Sequence, residues 1–418
     1  TDGDSDTDSD GDTDTDTDTV PVDTDYTDVP LSSAVEGIQP MTGIVFWADG
    51  GNSDWTEIAL EYSYMPFDDI AVTMNPDGWD WSGVEDLLDD IASRGHQAAL
   101  RFYYVYPGAQ TTVPLYIKAM DGCVETSGMT EGQLTWFPCW GHEELQQFTL
   151  RFYTEFAERY DDDPRMAFLQ VGFGLWGEYH IYEPGVDLGV NFPDKAFQEE
   201  FFNHLHSAFN TLHWSISIDA ADEENTPLAA SPDLLDIPFG LFDDSFLHEG
   251  HGEYNADCFD FFGADRRMTS PVGGEFSYYT DYDQQHALDL PDGPHGISFE
   301  ELAAQYNLTY IIGNDQPEYQ TPERIEAAGM AMGYRFEVTA FRVATDNALV
   351  TVRNTGIAPI YYDAYVAVNG VRSADSLKGL LPGTSREYRV MAGGSDPVLT
   401  IECDRLVDGQ EIFYDADI

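Results

Sequence analysis

Between residues 43 and 312 the chain repeats one pattern, a short apolar run followed by a longer stretch whose apolar residues recur with helical period. The runs Gly43 to Trp47, Ile70 to Met74, Gln97 to Tyr104, Met166 to Phe173, Trp214 to Asp219, Ile237 to Phe242, Pro271 to Phe276 and Leu308 to Ile312 read as strands. Between them Val84 to Ser93, Glu143 to Tyr160, Phe197 to Leu212, Phe299 to Tyr306 and Pro322 to Met332 read as amphipathic helices. Arg94-Gly95 closes the first of these. Thr321-Pro322 opens the last with a cap and a proline at the first helical position. Strands alternating with helices at this spacing predict an α/β fold, a (β/α)8 TIM barrel.

From Arg335 the period changes to two. RFEVTAFRVA, ALVTVRN, APIYYDAYVAVN, SREYRVM and PVLTIEC are short strands separated by turn residues, and they predict a C-terminal β-sandwich domain. At the other end the first 28 residues carry 12 aspartates and no base, with almost nothing to bury. The expected division is an acidic, disordered tail over 1–30, the barrel over 31–333 and the sandwich over 334–418. Asp6, Asp8, Asp10 and Gly11 imitate the opening of a calcium loop, but Thr17 stands where a bidentate glutamate is required. A plain acidic stalk is the simpler reading, and it allows a tether to a lipid or cell surface.

The formal charge is −59, from 77 acidic and 18 basic side chains, so nucleic acid is excluded as a simple partner. No apolar run is long enough to span a bilayer. Lysine occurs only at 118, 195 and 378, and an Asp-rich, Lys-poor surface stays hydrated in salt. That favours a secreted or cell-surface location. Among the four cysteines, Cys123 and Cys139 either close a disulfide loop or remain buried thiols.

In a barrel of this kind the chemistry sits at the carboxyl ends of the strands. The fourth run leads into Gly174-Leu175-Trp176-Gly177-Glu178-Tyr179-His180, and the seventh carries Glu275. Two glutamates at those ends fit a retaining glycosidase, in which one carboxyl protonates the leaving oxygen and the other attacks the anomeric carbon. Glu178 is the expected acid/base, with Trp176 and Tyr179 as its apolar setting, and Glu275 the expected nucleophile. Arg101, interior on the third run, needs a carboxylate partner and is expected to orient one of them. His180, Asp243, Asp244 and Asn314 are candidate substrate contacts, with Asp315 beside Asn314. Asp243 and Asp244 are followed by His248, Glu249, His251 and Glu253, which invites a metal reading, but the spacing matches no metal-site signature. Neither a metal nor a cofactor is assigned. Trp47, Trp79, Trp81, Tyr103, Tyr106, Trp136, Trp140, Trp176 and Tyr182 offer rings on which sugars could stack.

Several stretches carry a resemblance: LEYSYMP at 60–66, Arg94-Gly95-His96-Gln97 leading to Arg101-Phe102-Tyr103, Tyr106-Pro107-Gly108, YDDDPR at 160–165, GLWGEYH at 174–180, Asp243 to Phe246, PVGGEF at 271–276, Met332-Gly333-Tyr334 and NTGIAP at 354–359. They resemble a family of secreted bacterial proteins of unknown function that pair a glycosidase-like barrel with a C-terminal β-sandwich. The resemblance covers about residues 40 to 370. It implies a carbohydrate-active role through distant similarity to the clan A retaining glycoside hydrolases. Gly177 departs from that clan, which usually places there an asparagine that holds the sugar 2-hydroxyl. The expected function is hydrolysis of an extracellular poly- or oligosaccharide. The alternative is a non-catalytic glycan-binding or surface-structural protein.

Overall fold

The computed structural model describes residues 24–51, 55–75 and 78–418. The acidic repeat and its calcium-loop imitation lie outside the described residues, apart from the end of the tail. Eight parallel strands close a barrel in chain order: β1 Gly43–Trp47, β2 Leu60–Pro66, β3 Gln97–Tyr103, β4 Met166–Gln170, β5 Trp214–Ser217, β6 Gly240–Phe246, β7 Val272–Phe276 and β8 Tyr310–Ile312. The helices Ser82–Ser93, Glu143–Tyr160, Lys195–Ala208, Phe299–Tyr306 and Pro322–Met330 are those the periodicity marks. The caps are as expected: Gly95 is left-handed after Ser82–Ser93, and the Thr321 side chain accepts from Arg324 N.

One strand is misplaced in the sequence reading. Ile70–Met74 is not β2, since Phe67–Ile70 forms a short helix and Val72 and Met74 are exposed. β2 is LEYSYMP, where Glu61 is fully buried in the strand. Arg94 binds Glu61 with both prongs, at 2.8 and 2.7 Å, and His96 Nδ1 lies 2.8 Å from it. A paired buried carboxylate lets a strand carry a charge that pattern reading treats as surface. β6 also begins later and runs on to Phe246, which places Asp243 and Asp244 within the strand. A helix over Gly252–Phe262 follows it, burying Asn255, Cys258, Phe259 and Phe262 at helical spacing.

The C-terminal residues form two sheets. Phe336–Val343, Ala348–Asn354, Ser385–Val390 and Tyr414–Asp417 make one, and Ala364–Val368, Val371–Arg372 and Leu399–Cys403 the other. The first sheet also takes Thr27–Asp28, paired with Phe336–Val343, and Ser32–Ser33, paired with Tyr414–Asp417. Residues 27 to 33, divided by the sequence reading between tail and barrel, therefore belong to the sandwich sheet.

The sandwich seats on the amino end of the barrel. One apolar cluster runs from lumen residues Val45, Tyr62, Phe168 and Tyr310 into Tyr334, Phe336 and Tyr362. Tyr362 Oη donates to Ala167 O, Tyr361 Oη to Arg267 O at 2.7 Å, and Gln97 Nε2 to Arg405 O at 2.6 Å. That plug leaves the carboxyl end open. There the hairpin Thr126–Thr130 and Gln133–Phe137 rises beside the mouth, and the Cys123–Cys139 disulfide ties its flanks together. Cys258 and Cys403 are buried free thiols. No helix among the described residues is long and apolar enough to cross a membrane.

Candidate active site

The open end holds a cavity of about 600 Å³ lined by Glu178 and Glu275 together with Asp244, Trp176, Trp47 and Tyr279. Glu275 stands on β7 opposite Ile312 of β8. Two positions before it on the same face is Gly273, where a Cβ would collide with the Tyr310 ring. The glycine thus lets a large lumen residue cross beneath the carboxylate.

Glu178 is presented by a tight loop after β4. Trp176 and Gly177 both take positive φ, 54° and 76°, and Gly174 N donates to Glu178 O at 2.7 Å. A Cβ on Gly177 would lie 2.8 Å from Phe102 O. Asparagine tolerates the left-handed region but not this contact, which accounts for the glycine that the sequence shows before Glu178.

Arg101 comes up from β3 in the lumen, 1% exposed. Its Nε donates to Gln170 Oε1 at 2.8 Å, its NH1 binds Glu178 Oε1, and its guanidinium lies 4.3 Å from the Phe242 ring centroid. The expectation that Arg101 would find a carboxylate is met by Glu178. The other oxygen, Glu178 Oε2, is buried and has no hydrogen-bond partner among the described residues. Asp244 lies against the Glu178 carboxyl, and two carboxylates that meet this way bond only through a proton.

Electrostatics follow from that packing. Burial raises the Glu178 pKa against the opposing charges of Arg101 and His180. Burial also lifts Glu275 to about 7, with Arg101 opposing and Asp244 and Asp315 adding to the rise. Asp244 is held well above the carboxylate range by burial, then by Glu178 and Asp219. Burial works against a charged His180, but the hydrogen bond and charge of Asp219 outweigh it and bring the imidazole to about 10.

His180 Nδ1 is 2.9 Å from Asp219 Oδ2 and 3.6 Å from Glu178 Oε2. Asp219 is fixed in turn by Ser217 Oγ at 2.8 Å and Tyr254 Oη at 3.0 Å. The sequence reading left Asp219 out of the site, although it closes the fifth apolar run and so stands at the correct end of its strand. Tyr278 and Tyr279, directly after PVGGEF, were missed in the same way and line the cavity.

Two candidates point elsewhere. Tyr179 is buried against Phe173, Phe192 and Phe202, on the side away from the cavity that Glu178 lines. Asp243 alternates away from the lumen on β6 and accepts from Asn255 Nδ2 at 2.9 Å and Ser245 N at 2.9 Å. Asn314 supports the rim, its Oδ1 accepting from Trp47 N at 3.2 Å. Of the aromatic candidates, Trp47, Tyr106, Trp176 and Tyr182 reach the cavity, whereas Trp81 and Trp140 are core. The histidines after β6, His248 and His251, make their hydrogen bonds to groups other than Asp243 and Asp244. His248 and His295 both bind Asp283, at 2.8 and 2.6 Å, and His251 faces Ser245 Oγ at 3.0 Å. Among the described residues, the group spaced to hold a metal is instead Glu178, His180, Asp219 and Asp244.

No protein-family model and no curated protein matches the chain. Solved structures that match include endo-glycoceramidase II from Rhodococcus sp. (11% identity, 88% of this chain and 100% of that one, TM-score 0.40). A GH30 endoxylanase from Clostridium papyrosolvens also matches, at 10% identity, 91% and 98% coverage and TM-score 0.43. So does an alpha-galactosidase from Thermus thermophilus, at 14%, 77% and 66%, with TM-score 0.39. The barrel itself rests on its own strand pairing.

Proposed function

We propose that this protein is a retaining glycoside hydrolase that acts outside the cytosol on a neutral or weakly charged glycan. The observation that carries the reading is that Glu178 and Glu275, from the ends of β4 and β7, line one aromatic cavity at the open end of the barrel. Glu178, anchored by Arg101 and sharing a proton with Asp244, gives that proton to the glycosidic oxygen as the bond to the anomeric carbon breaks. Glu275 attacks that carbon as a carboxylate and forms a glycosyl ester. Water then attacks the same carbon, losing its proton to Glu178, and Glu275 leaves as the carboxylate. Trp176, Tyr182 and Tyr279 offer ring faces to the sugar C–H bonds. Their number in the lining supports a glycan over a compact polar metabolite. The disulfide supports an oxidising compartment.

One observation favours the non-catalytic alternative, glycan binding without turnover. The Arg101 guanidinium stabilises an ionised Glu178, and an ionised Glu178 cannot act as the acid. A panel of polysaccharides and aryl glycosides separates the two, with binding followed by calorimetry and product anomers by NMR. Release of a product with the anomeric configuration of the substrate supports the hydrolase. Tight binding with no product from any bound glycan supports the alternative.

A further inference from the structure

Two-carboxylate hydrolysis uses Glu178 and Glu275 and gives no task to His180 and Asp219 beside them. Glu178, His180, Asp219 and Asp244 bring one ligand atom each to within 4.8 Å of one another. They come from the carboxyl ends of three adjacent strands, β4, β5 and β6. Ligand atoms on a shell about 2.4 Å in radius, the oxygen distance of Ca²⁺, lie no more than about 4.8 Å apart, and these four meet that limit. Three carboxylates and one imidazole, which releases its proton on binding, form the donor set of such a hard or borderline cation, whereas a structural zinc site is typically richer in sulfur and nitrogen.

A second observation points the same way. Glu178 is 2% exposed, and its Oε2 has no hydrogen-bond partner within bonding distance among the described residues. Arg101 bonds the other oxygen, and Oε2 lies 3.6 Å from His180 Nδ1, a second member of the group. Ser217 and Tyr254 hold Asp219 in place, as outer-shell hydrogen bonds do for ligating carboxylates.

We propose that Glu178, His180, Asp219 and Asp244 form a binding site for one divalent cation of the Mn²⁺ or Ca²⁺ kind, and that its occupation blocks turnover. The block rests on the hydrolase reading, because the cation takes the Glu178 oxygen that must carry the proton. The binding itself does not rest on it.

The test uses the full chain, stripped with chelator and kept at high, constant ionic strength to suppress diffuse uptake by the acidic surface. MnCl₂ and CaCl₂ are titrated by calorimetry, and melting is followed with and without each ion. Wild type is expected to show one saturable site and a cation-dependent rise in Tm. Asp244→Asn and His180→Gln should each weaken that site tenfold or more. Without cation, Asp244→Asn should melt no lower than wild type, because the amide donates to Glu178 where the carboxyl needs a proton to do so, so loss of binding in it cannot be ascribed to misfolding. Equal uptake and equal Tm rise in wild type and Asp244→Asn would mean diffuse binding by tail and surface only and would overturn the site, as would no uptake by wild type. The two readings fail separately. Hydrolysis in chelator with no saturable cation refutes the cation site alone, whereas a saturable site in a protein that cleaves no glycan in chelator refutes the hydrolase alone.

Discussion

At the amino end of the barrel the buried guanidinium of Arg405 donates to two backbone carbonyls, Asp161 O at 2.8 Å and Met166 O at 2.6 Å, and lies 4.8 Å from the Tyr362 ring centroid. At the carboxyl end the guanidinium of Arg101 meets a carboxylate, and behind that carboxylate stand Asp244, Asp219 and His180. Both arginines are nearly inaccessible. The first, carried by the sandwich itself, gives two of its nitrogens to backbone carbonyls and faces no carboxylate in these contacts. The second is one member of a network in which acids outnumber bases and a carboxylate oxygen is left without a donor. The same strands therefore have one end in which a buried cation meets neutral backbone carbonyls, and one in which buried acids crowd one another and need a proton, a substrate or an ion between them. That second arrangement costs stability, and costs of this kind concentrate at functional sites.

The largest effect expected from this contrast is on turnover. Glu275→Gln and Glu178→Gln should each lower kcat on whatever glycan the panel identifies by at least about a thousandfold, roughly 4 kcal/mol in activation free energy. Glu275→Gln should also melt no lower than wild type, since it removes a buried charge that has no direct ion pair. Near-native kcat in either variant would break the assignment.

Next in size is the pH dependence of stability. Burial, with Asp244 adding, lifts Asp243 to about 8, and Glu275 reaches about 7. Both folded values exceed the unfolded ones, so between about pH 4 and pH 8 the native state holds protons that the unfolded chain has released. Stability from these groups is thus greatest below the unfolded pKa and falls as pH rises through the window, by roughly 3 kcal/mol or more. Asp243→Asn should flatten the slope of chemical unfolding free energy against pH. An unchanged slope would place the charge cost elsewhere on this acidic chain.

At the plugged end, Arg405→Met should lower unfolding free energy by about 2 to 3 kcal/mol, because Asp161 O and Met166 O lose their donors. Turnover per folded molecule should not change, and unfolding should remain one cooperative transition, because the sandwich and the lumen share one apolar cluster. Two separated calorimetric transitions would show that the amino end is a loose docking surface. The smallest effect concerns the entry of the chain. Deleting residues 1 to 28 removes the pairing of Thr27–Asp28 with Phe336–Val343 and should cost about 1 kcal/mol. Composition alone predicts no cost.

What the sequence made legible follows the same division. The strand number and the emergence of Glu178 and Glu275 from the fourth and seventh strands were readable, because parallel strands buried on both faces appear as apolar runs. β2 was not, since the partners that neutralise Glu61, Arg94 and His96, lie more than thirty residues away along the chain. The partnership of Arg101 was inferable as a need but not as a choice between glutamates. Whether Asp243 or Asp244 faces the lumen depends on strand phase, and the phase was lost when β6 was ended too early. The group formed by Glu178, His180, Asp219 and Asp244 assembles residues from three strands, a juxtaposition set by barrel closure and by no local pattern.

The most direct test of the central claim, that Glu178 and Glu275 act as a pair across the open cavity, is mass spectrometry of the intact and digested protein after reaction with a 2-fluoro glycoside of the identified sugar. The account predicts a mass gain of one glycosyl unit on the peptide that contains Glu275, present in wild type and absent in Glu275→Gln. No adduct from an efficiently cleaved sugar, with products of inverted configuration, or an adduct on another residue, would contradict it.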